Sequence, residues 1–146
     1  MTKIFILNGP NLNWLGKREP QLYGSHSLSQ LETEWIAWAS DFGFSAECRQ
    51  SNHEGVLIDW LQEAQENCAG VVINPGGYAH TSVALRDCVA ALTIPVVEVH
   101  WTAIQKREPF RHHSFLGEVA TGTVAGFGAL SYVLGLVLLK NHERTQ

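Results

Sequence analysis

A doubly wound α/β fold, a parallel sheet with helices on both faces, is what this 146-residue sequence predicts. Two observations carry that prediction. Short apolar runs alternate along the chain with segments whose apolar residues recur at helical spacing. Strands joined through helices pair in parallel, and right-handed crossovers distribute those helices over both faces of one sheet. With 45% hydrophobic and 16% charged residues, the composition suits a packed core rather than disorder. No linker, repeat or low-complexity tract breaks the pattern, so residues 1–146 are expected to form one domain.

The elements follow in order. Lys3 to Leu7 reads as a buried strand. Ser27-Leu28-Ser29-Gln30 matches a capping box, and Leu28, Leu31, Trp35, Trp38 and Phe42 then form a helical stripe that stops at Gly43. Phe44 to Gln50 reads as the second strand. Leu57, Trp60, Leu61 and Ala64 mark a second helix, with His53 and Glu54 placed to cap it. Gly70 to Ile73 is the third strand. Thr81 or Ser82 caps a third helix that turns Leu85, Cys88, Val89 and Leu92 inward. Ile94 to Val99 is the fourth strand and Glu118 to Val124 a short fifth. Phe127, Leu130, Leu134 and Leu138 mark the inward stripe of a final helix. Five parallel strands so arranged make a flavodoxin-like sheet.

Composition also excludes function classes. The formal charge is −4 and no stretch is rich in Lys and Arg, which argues against nucleic acid and anionic membrane surfaces as partners. The apolar run at the N-terminus is too short for a signal peptide. The stretch from Phe127 to Leu139 falls short of the ~20 residues a membrane span needs. A soluble, cytoplasmic protein is expected. Cys48, Cys68 and Cys88 are odd in number and widely spaced, which reads as buried reduced thiols rather than a disulfide or zinc site.

In a doubly wound sheet, ligands bind outside the carboxyl ends of the strands. Three polar loops leave those ends: NGPNLNWLGKREPQLYG, NPGGYAH, and EVHWTAI followed by KREPFRHHS. Their convergence marks a candidate site. Familiar devices are missing from it. There is no G-x-x-x-x-G-K-[ST], no G-x-G-x-x-G opening a helix, no H-E-x-x-H and no G-x-S-x-G. No lysine sits in an apolar pattern that would depress its pKa for Schiff-base chemistry. His112 and His113 are adjacent and would face opposite ways in extended chain, so neither a metal nor a cofactor is expected. Acid–base work by Tyr, His, Arg and carboxylates remains. Within REPQLYG, taken alone, Tyr23 is either a packing residue or a base.

Together, NGPNLNWLGKREPQLYG, RQSNHEG, INPGGYAHTSVALRD, PVVEVH and REPFRHHS resemble the type II 3-dehydroquinate dehydratases, in the right order and over nearly the whole chain. The resemblance implies anti elimination of water from 3-dehydroquinate to 3-dehydroshikimate through an enolate, with no metal, cofactor or Schiff base. It implies Tyr23 as the base and Arg18 as the cation beside it. Lowering a phenol pKa by two units needs about 2.7 kcal/mol. One guanidinium ~4 Å away at an effective dielectric of about 20 offers roughly 4 kcal/mol before desolvation. His100 matches the general acid, and Glu98, two residues earlier on the same side of the strand, would orient it. Asn11 matches the residue that helps hold a water bridging to the enolate oxygen.

For the substrate, the same resemblance implies Asn74 and the backbone amides of Trp101 and Thr102 at the carboxylate, and His80 and Arg111 at the ring hydroxyls. Asp87 would reach the site of a neighbouring subunit in a dodecamer built from trimers. Residues Asn13 to Tyr23 are expected to act as a lid. The chain departs from the family pattern at Trp14, Ala79, Trp101, Thr102 and Ala103, where leucine, threonine and His-Leu/Ile-Ser-Asn are usual. Rival readings are a diverged paralogue, a flavodoxin-like module that binds a small anionic metabolite without turnover, and a structural assembly subunit.

Overall fold

The computed structural model describes residues 1–17 and 19–145, with only the backbone of Tyr23. Strands β1 (Thr2–Asn8), β2 (Phe44–Gln50), β3 (Val71–Asn74), β4 (Val96–His100) and β5 (Gly122–Ala125) pair in parallel in the order β2-β1-β3-β4-β5. Helices α1 (Pro20–Tyr23), α2 (Leu28–Asp41), α3 (Glu54–Asn67), α4 (Val83–Ala91) and α5 (Leu130–Arg144) complete the flavodoxin-like layers. Winding reverses between β1 and β3, and a crevice opens there at the carboxyl ends of the strands.

Alternation along each strand divides the core in two. Ile4, Ile6, Val72, Val97 and Val99 pack with α2 and α5; Phe5, Leu7, Val71, Ile73 and Val96 pack with α3 and α4. Helix starts follow their caps. Ser27 Oγ accepts from Gln30 N at 3.3 Å and Gln30 Oε1 accepts from Ser27 N at 2.8 Å, a reciprocal cap. Losing such a cap costs about 1 kcal/mol. Ser82, not Thr81, caps α4 by accepting from Leu85 N at 2.9 Å. His53 occupies the N-cap position of α3 but makes no side-chain capping bond; Ser51 Oγ instead accepts from His53 N at 3.0 Å.

Four expectations are corrected. Trp38 lies on the exposed side of α2. The fifth strand begins at Gly122, because Leu116–Glu118 form a 3₁₀ turn and Glu118 accepts hydrogen bonds from Arg86 and His113. The three thiols are half-buried rather than buried. Phe127 precedes α5, whose inward stripe is Tyr132, Val133, Leu136 and Leu139; Phe127, Leu130 and Leu138 are exposed. This helix is apolar nearly all round, so periodicity alone leaves its face open. Gly135 decides it: a Cβ there would stand 3.1 Å from Val99 Cγ1 and 3.2 Å from Val72 Cγ1. The helix therefore seats against β3 and β4 on its smallest residue.

Candidate active site

The crevice is lined by Asn11 and Trp14 from the loop after β1, by Asn74, Gly76, Gly77 and His80 from the end of β3, and by His100, Trp101, Thr102, Arg107 and Arg111 from β4 onward. The first two loops interlock. Gly9 N donates to Asn74 O at 2.8 Å, and a Cβ on Gly9 would lie 2.6 Å from Pro75 O, so only glycine fits. Asn11 takes the left-handed conformation (φ 70°). Its N–H donates to Asn52 Oδ1 at 3.0 Å, while Tyr78 Oη donates to Asn52 O at 2.7 Å and Gln50 Nε2 to Gly9 O at 3.1 Å. The segment after β2 thus braces the Asn11 turn.

Val97 and Val99 face α5, so Glu98 and His100 share the opposite face. His100 Nε2 donates to Glu98 Oε2 at 2.6 Å. The carboxylate is fully buried and also accepts from Ser114 Oγ at 2.5 Å and, through Oε1, from Thr123 Oγ1 at 3.3 Å. Burial alone would push the Glu98 carboxyl up. The hydrogen bond and charge of His100, with Ser114 and Thr123, outweigh that cost and hold it below the usual carboxylate range. A buried carboxylate fixed in this way orients the imidazole and leaves its Nδ1 edge turned away from the Glu98 contact.

Across the crevice, His80 Nδ1–H donates to the His113 carbonyl at 2.8 Å. Burial, against that hydrogen bond and with the charges of His100 and Arg111, pushes the His80 pKa down. The ring is then neutral near pH 7 and offers Nε2 as an acceptor for a hydroxyl. Asn74 Oδ1 accepts from Gly76 N at 3.0 Å, and Asn74 Nδ2 donates to Tyr132 Oη at 2.9 Å. Arg107 Nη1 donates to Thr102 Oγ1 at 3.0 Å, and Arg111 Nε to Glu108 Oε1 at 3.0 Å. The Trp101 indole lies beside Gly128 at the entry to α5, where a Cβ on that glycine would stand 3.6 Å from the ring.

The structure thus gathers Asn11, Asn74, His80, His100, Trp101, Thr102 and Arg111 at one crevice, with Glu98 directly behind His100. Arg18 and the Tyr23 side chain lie outside the described residues. Asp87 is exposed on α4, bonded to Arg86 Nη1 at 3.3 Å and away from this crevice. Sequence reasoning missed Asn52, Ser114, Thr123, Arg107 and Tyr132. Asn52, Arg107 and Ser114 carried a signal, since they lie in the motifs RQSNHEG and REPFRHHS but were given no chemical role there; Thr123 and Tyr132 carried none. Among the described residues no cluster of three His, Cys, Asp or Glu side chains could hold a metal ion. The donors present are amides, imidazoles and guanidiniums, which suit an oxygen-rich organic anion.

A doubly wound sheet carrying a buried Glu–His pair at the carboxyl end of β4, beside the crevice at its switch point, fits an acid–base enzyme for small polar molecules. The comparisons sharpen that class. Residues 2–140 match the sequence model described as dehydroquinase class II. The chain is 56% identical over 138 residues to 3-dehydroquinate dehydratase 1 of Agrobacterium fabrum, covering 94% of this chain and 95% of that one. It is 52% identical over 133 residues to 3-dehydroquinate dehydratase 2 of Pseudomonas aeruginosa, covering 91% and 90%. The crystal structure of type II dehydroquinase from Propionibacterium acnes superposes with a TM-score of 0.93 at 39% identity, covering 97% of each chain. This chain belongs to the class II dehydroquinase family.

Proposed function

We infer that this chain is a hydro-lyase that removes water from 3-dehydroquinate to give 3-dehydroshikimate, as one catalytic domain with no cofactor. Family membership supports the reaction. The observation that carries the mechanism is the buried Glu98–His100 pair at the mouth of the crevice.

The Tyr23 phenolate, kept ionised by Arg18, takes the proton from the carbon beside the ketone. The electron pair moves onto the carbonyl oxygen as an enolate. Asn11, on its braced left-handed turn, holds the water that bridges to this oxygen. Collapse of the enolate expels the β-hydroxyl, which leaves as water with the proton that His100 delivers from Nδ1. Glu98 compensates the imidazolium charge until that transfer. Asn74 and the amides of Trp101 and Thr102 grip the carboxylate, and His80 and Arg111 bind ring hydroxyls. Residues 13–23 close over the substrate. Asp87, exposed and outside its own crevice, serves a neighbouring subunit in a cytoplasmic dodecamer built from trimers.

The test is an ultraviolet assay for the conjugated enone formed from 3-dehydroquinate, comparing wild type with Tyr23→Phe. Wild type forms the enone. The variant, lacking only one oxygen, folds normally and loses turnover by at least about a thousandfold. Normal turnover without that phenol would remove Tyr23 as the base, and an inactive wild type would remove the dehydratase reading.

A further inference from the structure

We propose that Tyr132 is a positioning residue: through a buried Asn8–Tyr132–Asn74 chain it fixes the Asn74 amide that meets the substrate carboxylate. The inference rests on the role given to Asn74 above. Asn8 and Asn74 are register partners at the carboxyl ends of β1 and β3, on the face that α5 covers. Tyr132 reaches them from α5. Its Oη donates to Asn8 Oδ1 at 2.6 Å and accepts from Asn74 Nδ2 at 2.9 Å. Asn8 and Tyr132 are fully buried, and Asn74 is 3% exposed yet lines the crevice.

The polarity of this chain is determined. Asn8 Oδ1 can only accept, so the phenol proton points at Asn8. The phenol oxygen must then accept from Asn74. Gly76 N can only donate, so it takes Asn74 Oδ1. Both ends of the Asn74 amide are thereby assigned, and one Nδ2 N–H remains for an anion in the crevice. The Tyr132 ring is itself immobilised, stacked on Trp35 with centroids 3.8 Å apart and planes 19° from parallel.

The arrangement is costly as packing. Asn8 Nδ2 is buried without a hydrogen-bond partner among the described residues. An aliphatic side chain would fill such a position without that penalty. A polar chain kept at this cost, beneath the switch-point crevice, fits a role in orienting Asn74.

Steady-state kinetics on the intact enzyme with 3-dehydroquinate test it, using Tyr132→Phe, Asn74→Ala and the double variant. Tyr132→Phe should raise KM about tenfold while kcat changes less than about threefold, because binding and not chemistry is lost. Asn74→Ala should raise KM at least as much, and adding Tyr132→Phe to it should raise KM no further. An unchanged KM in Tyr132→Phe, or an equal additional rise in the double variant, overturns the proposal. An unchanged KM in Asn74→Ala overturns the role given to Asn74, and this inference with it. If Tyr132→Phe does not fold, Asn8→Ser keeps the phenol and must show the KM rise, abolished in the Asn74→Ala background. Without that pattern the proposal falls.

Discussion

Replacing Glu98 by glutamine keeps the volume of a fully buried side chain and removes its charge. With His100 Nε2 at 2.6 Å from the carboxylate and an effective dielectric of about 20, the attraction lost on protonating the imidazole is about 6 kcal/mol. Desolvation offsets part of it, and breaking a buried pair by neutralising one partner costs a net ~3–5 kcal/mol. If only a portion of that appears in the step where His100 donates its proton, kcat falls by about a hundred- to a thousandfold. The enone assay measures kcat directly. Acid stability gives a second reading. Folding lowers the Glu98 pKa from 4.5, so the carboxylate stabilises the native state above that value and this contribution is lost as pH falls through the folded value. Glutamine has no such proton to gain. Its Tm should therefore fall less than that of wild type between about pH 5 and about pH 3. A Glu98→Gln enzyme with kcat within about twofold of wild type would refute the role of the buried charge, whatever its stability.

Ser114→Ala removes one of the donors to Glu98 while leaving His100 in place; a loss of about 1–3 kcal/mol in urea unfolding is expected, with a severalfold lower kcat and a smaller effect than Glu98→Gln. Cys48 should resist alkylation in the folded enzyme. Burial first, and the charges of Glu32 and Glu47 second, push its pKa up to about 12. At pH 8 the thiolate fraction is then about one in ten thousand, so labelling followed by mass spectrometry should be roughly a thousandfold slower than in denaturant. Comparable rates would show the thiol to be accessible and unperturbed.

Most of the fold was written in local pattern. The capping box at Ser27 and the strand at Phe44–Gln50 formed where periodicity placed them, because each depends on neighbours a few residues away. The Glu98–His100 contact was readable for the same reason, since i and i+2 share a face of any strand. Helix α5 was misread because a segment apolar on every side offers two equivalent stripes. The choice between them was made by the close approach of Gly135 to Val72 and Val99, contacts remote in sequence.

The crevice divides along the same line. Its loops were legible as polar segments at the carboxyl ends of strands, and the family resemblance supplied roles for their side chains. The groups that hold those side chains were not legible. Ser114 and Thr123 reach Glu98 from 16 and 25 residues away, and Tyr132 reaches Asn8 across 124. In any one-dimensional reading Tyr132 is simply an aromatic residue on an apolar helix. It acquires a partner only when the register of β1 against β3 sets Asn8 beside Asn74. A shift of that register by one residue would turn one of the two amides to the α3–α4 face and leave the phenol a single partner. The same register that closes the core therefore also aligns the crevice, and the proposed grip of Asn74 on substrate depends on that strand pairing.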